Sequence, residues 1–571
     1  MQNSVLRTLV ACALTLFFYH TQAQYHNLWI PDTLSGTTFN LSIKDTFSQI
    51  KTGNQTITAG INGNFWGPTL FFNQGDTVHM NVHSYLNDST TLHWHGMHLP
   101  AVMDGGPHQV IPPGSTWQPY WKVTNNAGLY WFHPHLHEMT MEQIAQGIGG
   151  LIIVRDAQEA ALPLPRTYGV DDIPLVLTDR SFDNSNQFKV VPYGDSCMVN
   201  GVLTPQLSVP AQVVRFRILN AAIERSFNLG FSDGRTFYVI SGDGGLLDAP
   251  VALTRYLISP GERVEILVNC SGQSGTTINL KAFNSTLSNF IGGGENFPGG
   301  PFANALGKKD FNVLRLNIGA ATTSPIIAIP SALVTNTYPA EASATITRTV
   351  TMTDSSGVPN ILGPNAFILE HKLFDLNYIS HTVPLNNTEI WELKSTSVFA
   401  HPFHIHDVEF HILTINGSAP PAEQAGWKDV VLVKGGETVR FIAKFDDYAD
   451  STHPFMYHCH IALHEDEGMM GQFVVTDTAT HTLPSGIKEV TGASFRLYPN
   501  PANQRLYIQM QNAADVYYVR ICDLSGRTLL MLPQPELSNG IDLSGFAAGT
   551  YLLQLTDKQT KSTTTQRFVK Q

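Results

Sequence analysis

The chain of 571 residues has a formal charge of −12, and 14% of its residues are charged against 43% that are hydrophobic. This length corresponds to about three or four domains, and the composition excludes an intrinsically disordered chain. The acidic balance argues against nucleic acid as a partner, because no basic surface is available to follow phosphates. Five Cys are too few for a disulfide scaffold of this size. Cys197 and Cys270 could pair in an oxidising compartment or remain buried thiols.

The N-terminus has the pattern of an export signal over residues 1–23. Arg7 supplies the positive charge, residues 9–19 form an apolar run too short to span a bilayer, and a small-residue cleavage site ends at Ala23. The predicted mature chain therefore starts near Gln24. Lipidation of Cys12 is an alternative, although the apolar run continues past that cysteine. No other segment reaches transmembrane length, so we expect no transmembrane segment.

A β pattern repeats three times along the body of the chain. Each copy has a turn, a strand edge marked by Pro, and a strand that enters a core. Three such units predict an all-β fold with three tandem β-sandwich domains. Their predicted bounds are residues 24–160, 161–320 and 347–480, with a linker rich in Thr, Ala and Pro at 321–346. One short helix is predicted, around Thr140 to Gln146.

Alternating apolar residues predict strands that bury one face of a sheet. The clearest runs are Val78-Met80-Val82, Val214-Phe216-Ile218 and Val439-Phe441-Ala443-Phe445. In the second run, Arg215 and Arg217 take the alternate positions, which a half-buried sheet directs away from the core.

Histidine is the unusual residue, with 22 in the chain, and the most distinctive of them fall in four short clusters. The clusters are His93-Trp-His95-Gly, Trp-Phe-His133-Pro-His135, His401-Pro-Phe-His404-Ile-His406, and His458-Cys-His460 followed by His464. On an extended strand, a His-x-His pair presents both imidazoles on one face of the sheet. Each pair can therefore reach one metal ion or two adjacent ions.

Cys459 is the most informative residue, because a thiolate with two imidazoles and a distant thioether is the ligand set of a blue-copper site. His464 follows at +5, Met469 follows at +10, and His401 lies in the preceding cluster. Zinc also accepts Cys and His, but it explains neither the paired histidines nor a Met at the axial spacing. The two histidines that flank the cysteine point to the opposite face of the strand, where they can bind a second metal cluster. The backbone between them and the cysteine is then a covalent path from the sulfur to that cluster.

In this order, the four clusters resemble the motifs of the three-domain multicopper oxidases, the family of laccases, bilirubin oxidases and bacterial cuprous oxidases, over about residues 25–475. The resemblance implies cupredoxin-like domains and four copper ions: one type 1, one type 2 and a type 3 pair. It implies that the type 1 ion binds His401, Cys459, His464 and axial Met469. It implies a type 2 ion on His93 and His404, one type 3 ion on His95, His133 and His460, and the other on His135, His406 and His458. The trinuclear cluster would then lie between domains one and three, and the middle domain would be a spacer without ligands.

The resemblance also implies an activity, in which one-electron oxidations of a small-molecule reductant at the type 1 site are coupled to the reduction of dioxygen to two waters. Cys459 would carry the electrons. Asp104, just after the first cluster, and Glu465, next to His464, would hold protons for cleavage of the oxygen–oxygen bond. The alternative is that Asp104 only caps a Gly-Gly turn in a loop and that Glu465 is an exposed surface residue.

The motifs are compatible with several classes of substrate. An axial Met predicts a moderate potential, suited to phenols, aromatic amines, bilirubin-like pigments or Cu(I). The third domain most resembles the bacterial cuprous oxidases, but the chain has 13 Met and no Met-rich tract, and residues 397–400 are poor ligands for a soft metal. We therefore expect a laccase-like oxidase of phenols or aromatic amines. The alternatives are a cuprous oxidase, a non-catalytic copper-binding or scaffold protein, and a nitrite reductase with type 1 and type 2 copper only, against which six candidate type 3 histidines argue.

The C-terminus changes character after about residue 480. Residues 481–493 are a polar linker, and residues 494–571 have a compact β pattern of short strands and turns. This pattern resembles the C-terminal sorting domain of the type IX secretion system, and the plain alternative is a small β-sandwich add-on. The resemblance implies a Bacteroidetes-type Gram-negative source and the type IX secretion machinery as a partner. The protein would be secreted or attached to the outer cell surface.

Overall fold

The computed structural model describes residues 24–295, 304–360, 363–477, 495–510, 516–523, 528–533, 540–557 and 563–571. The predicted signal at 1–23 and the predicted linker at 481–493 lie outside the described residues. The chain divides into two compact units, residues 1–480 and 481–571. Among the helices in the described ranges, none combines the length and the apolarity that a membrane crossing requires.

The first region of the larger unit is a sandwich of two sheets. Strand β1 (His26–Asn27) precedes it and pairs elsewhere. The helices of the first region are α1 (Thr140–Gln146) and α2 (Ala157–Ala160), and its strands are β2 (Thr33–Ser35), β3 (Thr38–Ser48), β4 (Thr56–Ile61), β5 (Thr69–Asn73), β6 (Thr77–Ser84), β7 (Thr116–Trp117), β8 (Tyr120–Lys122), β9 (Gly128–Phe132) and β10 (Gly150–Arg155). One sheet has the order β4-β3-β6-β7 with β8 beside β6, and the other has the order β2-β5-β10-β9. The predicted helix is confirmed, and it ends at Gly147, whose φ of 108° is left-handed.

The middle region is a second sandwich. Its strands are β11 (Asp172–Phe182), β12 (Phe188–Lys189), β13 (Ser196–Val199), β14 (Val202–Leu203), β15 (Pro205–Pro210), β16 (Val213–Asn220), β17 (Phe227–Phe231), β18 (Phe237–Gly242), β19 (Gly245–Leu253), β20 (Tyr256–Ile258), β21 (Arg263–Asn269), β22 (Thr277–Phe283) and β23 (Asp310–Gly319). The sheets have the orders β1-β15-β23-β22-β17-β20 and β14-β13-β11-β16-β21-β18-β19. Strand β1 thus joins this sandwich and not the first. Cys197 and Cys270 are free thiols here, and burial raises the pKa of Cys197 to about 12.

The third region holds helix α3 (Ala462–Asp466) and a third sandwich. Its strands are β24 (Ile346–Asn360), β25 (Gly363–Leu369), β26 (His381–Pro384), β27 (Asn387–Ser395), β28 (His401–Ile405), β29 (Phe410–Ile415), β30 (Trp427–Lys428), β31 (Val430–Val433), β32 (Thr438–Phe445), β33 (Asp450–Cys459) and β34 (Met470–Thr476). The two sheets have the orders β25-β24-β27-β32-β29-β30 and β26-β34-β33-β28-β31. Strands β28 and β33 lie side by side, which sets up the site described below.

The smaller unit is also built of strands. These are β35 (Phe495–Tyr498), β36 (Arg505–Met510), β37 (Val516–Asp523), β38 (Thr528–Pro533), β39 (Ile541–Asp542), β40 (Gly549–Asp557) and β41 (Thr563–Lys570). They form a sheet of three strands, β35-β36-β39, and a sheet of four, β38-β37-β40-β41, around a core that includes Leu506, Ile521, Leu553 and Phe568. The predicted all-β fold, with three tandem sandwiches and a small C-terminal β unit, is confirmed.

The predicted alternation of buried apolar and exposed polar residues is confirmed for the apolar face of these strands. It is wrong for the polar face of β16. Val78, Met80 and Val82 are all buried, as expected. Arg215 and Arg217 were expected on the polar face, and both are buried instead. They lie among carboxylates: Arg215 contacts Glu159 at 2.6 Å, and Arg217 contacts Asp172 and Glu265 at 2.7 Å each. This side of the strand packs on neighbouring parts of the chain, and buried charges persist there because they are paired.

Candidate metal centre

The residues expected to hold the type 1 ion meet inside the third sandwich. Cys459 ends β33, His401 begins β28 and His464 lies on α3, and all three are buried. The Cys459 sulfur lies 3.6 Å from Nδ1 of His401 and 3.6 Å from Nδ1 of His464. Met469 is also buried, and its backbone carbonyl accepts a hydrogen bond of 3.1 Å from the Cys459 amide. A sulfur and two ring nitrogens therefore face one point.

The surroundings of this point favour a bound cation. Burial lowers the pKa of His401 to about 3, so its imidazole is neutral. Burial also raises the pKa of the Cys459 thiol well above its usual range. No protein cation is among the causes that shift this thiol, whereas a coordinated metal ion would deprotonate it outright. The Phe367 ring, with its centroid 4.3 Å from that of His464 and 5.0 Å from that of His401, helps to exclude water.

Eight further histidines form one buried cluster between the first and third sandwiches. His93 and His133 exchange backbone hydrogen bonds of 2.8 and 3.1 Å in the first sandwich. In the third, His404 of β28 is paired with His458 of β33. The eight side chains are at most 4% exposed, and they are His93, His95, His133, His135, His404, His406, His458 and His460. Each His-x-His pair on these extended segments turns both rings into the space between the sandwiches.

Within the cluster, ring nitrogens converge in two sets of three. His95 Nδ1 lies 3.3 Å from His133 Nε2 and 3.2 Å from His460 Nε2. The second set centres on His458 Nε2, which lies 3.2 Å from His135 Nε2 and 3.4 Å from His406 Nε2. These are the two sets that were expected to hold the type 3 pair.

In His133 and His458, the ring hydrogen lies on Nδ1, which faces away from the point where the Nε2 atoms converge. Each Nε2 atom therefore carries a lone pair. His133 Nδ1 donates to the Pro134 carbonyl at 2.9 Å, and His458 Nδ1 donates to the Cys459 carbonyl at 3.0 Å. Burial keeps the pKa of both imidazoles below their usual range, so each ring has a single hydrogen, and Nδ1 holds it. Lone pairs that meet at these distances repel one another unless a cation lies between them. The donor set therefore fits a metal ion.

A third set contains the two histidines expected to hold the type 2 ion. His93 Nδ1 donates to the Asp104 carbonyl at 3.0 Å, and His404 Nδ1 donates to the Asp429 carbonyl at 2.9 Å. The Nε2 atoms of both rings are buried and lack a hydrogen-bond partner among the described residues. Buried ring nitrogens without a partner are costly, and a metal ion would satisfy both.

The two predicted proton carriers each bridge the first and third sandwiches. Asp104 lies 2.8 Å from His406 Nδ1 and 3.4 Å from His93 Nδ1. Glu465 lies 3.1 Å from His135 Nδ1 and 3.3 Å from His458 Nδ1. Both carboxyls are 1% exposed, so the alternative of an exposed Glu465 is wrong. Burial raises the pKa of Glu465 well above its usual range, which keeps a proton on it.

Sequence reasoning missed a third carboxyl, Asp429. Its Oδ1 lies 3.3 Å from His95 Nε2, and its backbone holds His404. Arg263, at the start of β21, donates to both oxygens of Asp429, at 2.6 and 2.5 Å. The middle sandwich therefore does more than space the other two, because its arginine positions the carboxylate beside the cluster. Nothing in the local sequence marks this pair, whose members are 166 positions apart.

Asp466 is a second missed residue. It accepts hydrogen bonds from the amides of Thr140, at 2.9 Å, and Met141, at 2.8 Å. These are the first two amides of α1, which have no partner inside the helix. Its neighbour Glu465 accepts from the Thr140 hydroxyl at 2.7 Å. The end of the third sandwich thus caps a helix of the first, and this contact holds the two walls of the cluster together.

Gly261 leaves room for a cluster imidazole, which allows a specific prediction. Its φ is +83°, and a Cβ at this position would lie 2.6 Å from Cγ of His460. We expect Gly261→Ala to displace that ring and to lower the metal content of the cluster, while Cys459 keeps its own metal. Gly272→Ala is the matched control, because Gly272 has a φ of +73° and no neighbour within 4 Å. Both variants bear about 1–2 kcal/mol of left-handed strain. Equal metal content in the two would contradict the prediction.

Multicopper oxidase family patterns match residues 42–159, 172–281 and 342–479. Residues 496–571 match the secretion system C-terminal sorting domain. These matches fall in both histidine-bearing sandwiches, in most of the middle sandwich and in the smaller unit.

Among curated proteins, the chain is 30% identical over 430 residues to the multicopper oxidase mco of Staphylococcus haemolyticus, which covers 74% of this chain and 84% of that protein. It is 32% identical over 427 residues to the cell division protein FtsP of Xenorhabdus nematophila, with 73% and 84% covered.

Solved structures show the same fold. The laccase-like multicopper oxidase CueO of an Ochrobactrum species, described as active towards lignin model compounds and lignosulfonate, is 35% identical with a TM-score of 0.70, and the match covers 79% of this chain and 100% of that one. A multicopper oxidase from Pediococcus acidilactici is 31% identical with a TM-score of 0.69, covering 80% and 93%.

The matches give the three sandwiches their class, which is cupredoxin-like. The sorting-domain match indicates export by type IX secretion from a Bacteroidetes-type cell. Family membership implies copper binding, and the donor sets described above have the residue types that copper prefers. The chain belongs to the multicopper oxidase family and carries a C-terminal sorting domain for type IX secretion.

Proposed function

We propose that this protein is a laccase-like oxidase, which takes electrons one at a time from phenols or aromatic amines and reduces dioxygen to water. The observation that carries this proposal is the presence of four complete donor sets within the family's fold. In each set, the ligand atoms lie within 4.8 Å of one another: His401, Cys459 and His464; His95, His133 and His460; His135, His406 and His458; and His93, His95 and His404, which shares His95 with the second set.

We assign four copper ions to these sets. The type 1 ion would bind His401, Cys459 and His464, with Met469 as the axial ligand. The type 2 ion would bind His93 and His404, and the type 3 pair would bind the two sets of three. Bound copper would supply the one-electron redox chemistry and the binding of oxygen.

The protein's own residues connect the copper sites, keep water away from the type 1 ligands and supply protons. Cys459 lies between His458 and His460 in the chain, so a covalent path joins the type 1 set to both type 3 sets. Phe367 covers the type 1 imidazoles. Asp104 and Glu465 are buried beside different histidines, and we infer that each holds a proton at a carboxyl oxygen for the reduction of dioxygen. Since each carboxyl contacts both histidine-bearing sandwiches, each also keeps the cluster aligned.

A phenol or aromatic amine is the reductant that we favour. The Ochrobactrum relative, at 35% identity, is described as an oxidase of lignin model compounds. The chain has no Met-rich tract, and the residues before His401 are Ser397-Val-Phe-Ala400, which are poor ligands for Cu(I). Both observations favour phenols or aromatic amines over cuprous ions.

A second candidate is a non-catalytic protein, because relatives named cell division protein FtsP are as similar as the oxidases named mco. The complete donor sets argue against this candidate. A protein that served only as a scaffold would have no use for eight buried histidines, whose desolvation is unfavourable without a bound cation.

We further infer that residues 1–23 are an export signal that is removed, and that the mature protein is released or attached to the outer cell surface. The domain bounds proposed from the sequence, 24–160, 161–320, 347–480 and 494–571, describe the exported chain.

The test of this proposal is oxygen uptake by the purified, copper-loaded protein. A methoxyphenol and Cu(I) are compared in parallel, with correction for the spontaneous oxidation of Cu(I). Faster uptake with the phenol is expected. Faster uptake with Cu(I) would make the protein a cuprous oxidase, and no uptake with either, despite a blue colour, would favour the non-catalytic alternative.

His135→Ala separates catalysis from copper binding at the type 1 set. We expect this variant to keep its blue colour and to lose oxygen uptake, because His135 belongs to the cluster only. His453→Ala is a matched control, since that side chain is 43% exposed and lies outside the donor sets. Unchanged uptake by His135→Ala would refute the proposed use of the cluster.

A further inference from the structure

Three consecutive residues of the third sandwich contact a buried group of charges in the middle sandwich. Lys428 ends β30, Asp429 follows it, and Val430 begins β31. Their partners lie just after β18 and at the start of β21, and they are Asp243, Glu262 and Arg263. All six residues are buried, so the two sandwiches meet here through charges that are shielded from water.

Lys428 makes two ion pairs across this contact. Its Nζ lies 2.8 Å from Asp243 Oδ2 and 3.1 Å from Glu262 Oε1. The lysine is 2% exposed, and each of its two partners is at most 3% exposed. A buried ammonium without a partner is unfavourable by several kcal/mol. Because both partners belong to another sandwich, Lys428 is stable in this place only when the third sandwich is seated on the middle one.

Asp243 holds the backbone on both sides of Asp429. Its Oδ2 contacts Lys428 Nζ at 2.8 Å and accepts a hydrogen bond of 3.4 Å from the Val430 amide. Its Oδ1 accepts a hydrogen bond of 2.7 Å from the Arg263 amide. Asp429 thus lies between two residues that are bound to one carboxylate oxygen. A shift of the Asp429 backbone would break at least one of these contacts.

Asp429 transmits this restraint to two histidines of the cluster. Its carbonyl accepts a hydrogen bond of 2.9 Å from His404 Nδ1, and its Oδ1 lies 3.3 Å from His95 Nε2. In each ring, the nitrogen that contacts Asp429 is the one that faces away from the cluster. Groups that hold the outer nitrogen of a ligand imidazole fix the orientation of the ring. The positions of both rings therefore depend on Asp429.

The other half of the cluster has a different support. His406 Nδ1 lies 2.8 Å from Asp104, and Nδ1 of His135 and of His458 lies 3.1 and 3.3 Å from Glu465. These two carboxyls belong to the first and third sandwiches. The cluster is thus held by two separate groups of carboxyls, and the group around Asp429 is the one that contacts the middle sandwich.

We propose that Lys428 is a positioning residue that acts through Asp429. It keeps His95 and His404 directed at the cluster. Its loss should release the copper bound through these two rings before the copper of the set that contains His458. The inference rests on the proposed function for the identity of the metal and for oxygen uptake, whereas the order in which metal is lost is independent of turnover.

Lys428→Met tests the proposal, because methionine has a similar length and no charge. The copper bound through His95 and His404 should bind about 10–100-fold more weakly, as is typical when a group that holds metal ligands is lost. A chelator that leaves the wild type intact should therefore remove this copper. The blue colour of the type 1 set should stay, since Asp429 holds cluster rings. Lys428→Arg keeps the charge and should keep the copper.

Electron paramagnetic resonance gives a readout that a general loss of stability would not change. Two Cu(II) ions held close together couple their spins, and the coupled pair gives no signal. If the ion of the set that contains His95 leaves, the remaining ion of the proposed type 3 pair becomes detectable. The detected fraction of the bound copper should therefore rise in Lys428→Met. Unfolding would instead release every ion of a molecule together.

Arg217→Met is the matched control for the loss of a buried cation. Arg217 also belongs to a buried network, and it pairs with Asp172 and Glu265 at 2.7 Å each. Both variants should lower the melting temperature of the copper-free protein, but Lys428→Met alone should lose copper in the stated order. Equal copper loss in the two variants, or loss of blue colour in step with cluster copper, would overturn the proposal. Unchanged copper affinity in Lys428→Met would overturn it as well.

A double variant decides the case in which Lys428→Met does not fold. Lys428→Met with Glu262→Gln removes one cation and one carboxyl together, and the new amide oxygen can still accept the hydrogen bond of 2.7 Å that Glu262 accepts from the Ser259 amide. The double variant should lose the same copper, because Asp243 still lacks its lysine. Full retention would refute the role of Lys428. If the wild type takes up no oxygen, the proposed function fails, yet copper retention and the resonance signal still decide this role.

Discussion

Cys459→Ser is expected to abolish both the blue colour and the oxygen uptake of the copper-loaded protein, with a loss of at least about 10³-fold in kcat. The sulfur faces Nδ1 of His401 and of His464 at 3.6 Å each, and these three ligand atoms lie within 4.8 Å of one another. A hydroxyl is a poor ligand for the soft copper site that this set suits. The two flanking histidines stay in place, so copper in the cluster should be retained.

Copper content and absorbance measured on the same samples check this expectation. Cys197→Ser is the matched control, because Cys197 is a partly buried thiol of the middle sandwich outside the donor sets. It should keep the blue colour and full uptake. Turnover by Cys459→Ser within tenfold of the wild type would mean that electrons reach the cluster by another route.

Arg263→Leu is expected to destabilise the fold by about 3–5 kcal/mol, the cost of removing one partner of a buried ion pair. Arg263 is fully buried and makes two hydrogen bonds to Asp429 and one to each of the carbonyls of Leu129, Gly261 and Asp243. Without it, Asp429 becomes an unpaired buried charge next to His95. The variant should therefore lose cluster copper and oxygen uptake, while the type 1 set, which Arg263 does not touch, keeps its blue colour.

Arg235→Leu is the control for this variant. Arg235 lies in the same sandwich and pairs with Asp233, which is 42% exposed, so its loss should cost at most about 1 kcal/mol. Denaturant unfolding, copper analysis and absorbance distinguish the two variants. Full cluster copper in Arg263→Leu would show that the middle sandwich does not position the histidines.

The sequence by itself determined which residues could serve as ligands. A His-x-His pair on an extended strand turns both rings to one face, whatever the rest of the fold does. A cysteine between two histidines must link two sites, because neighbouring side chains on a strand point to opposite faces. Local spacing therefore sufficed to group Cys459 with His464 and to separate them from His458 and His460. His401, 58 positions from Cys459, was added to complete the ligand set of a blue-copper site, and the structure groups it with the other two.

The tertiary structure decided what surrounds these ligands. Arg263 reaches Asp429 across 166 positions, and Asp466 caps a helix 326 positions away. Arg215 and Arg217, which strand alternation placed on a polar face, are buried against carboxylates of other segments. A ligand motif is a local pattern of strand geometry, and so it can be read in the chain. The charges that position the ligands become neighbours only when separate sandwiches pack together. The alternation of residues within a strand does not predict that packing.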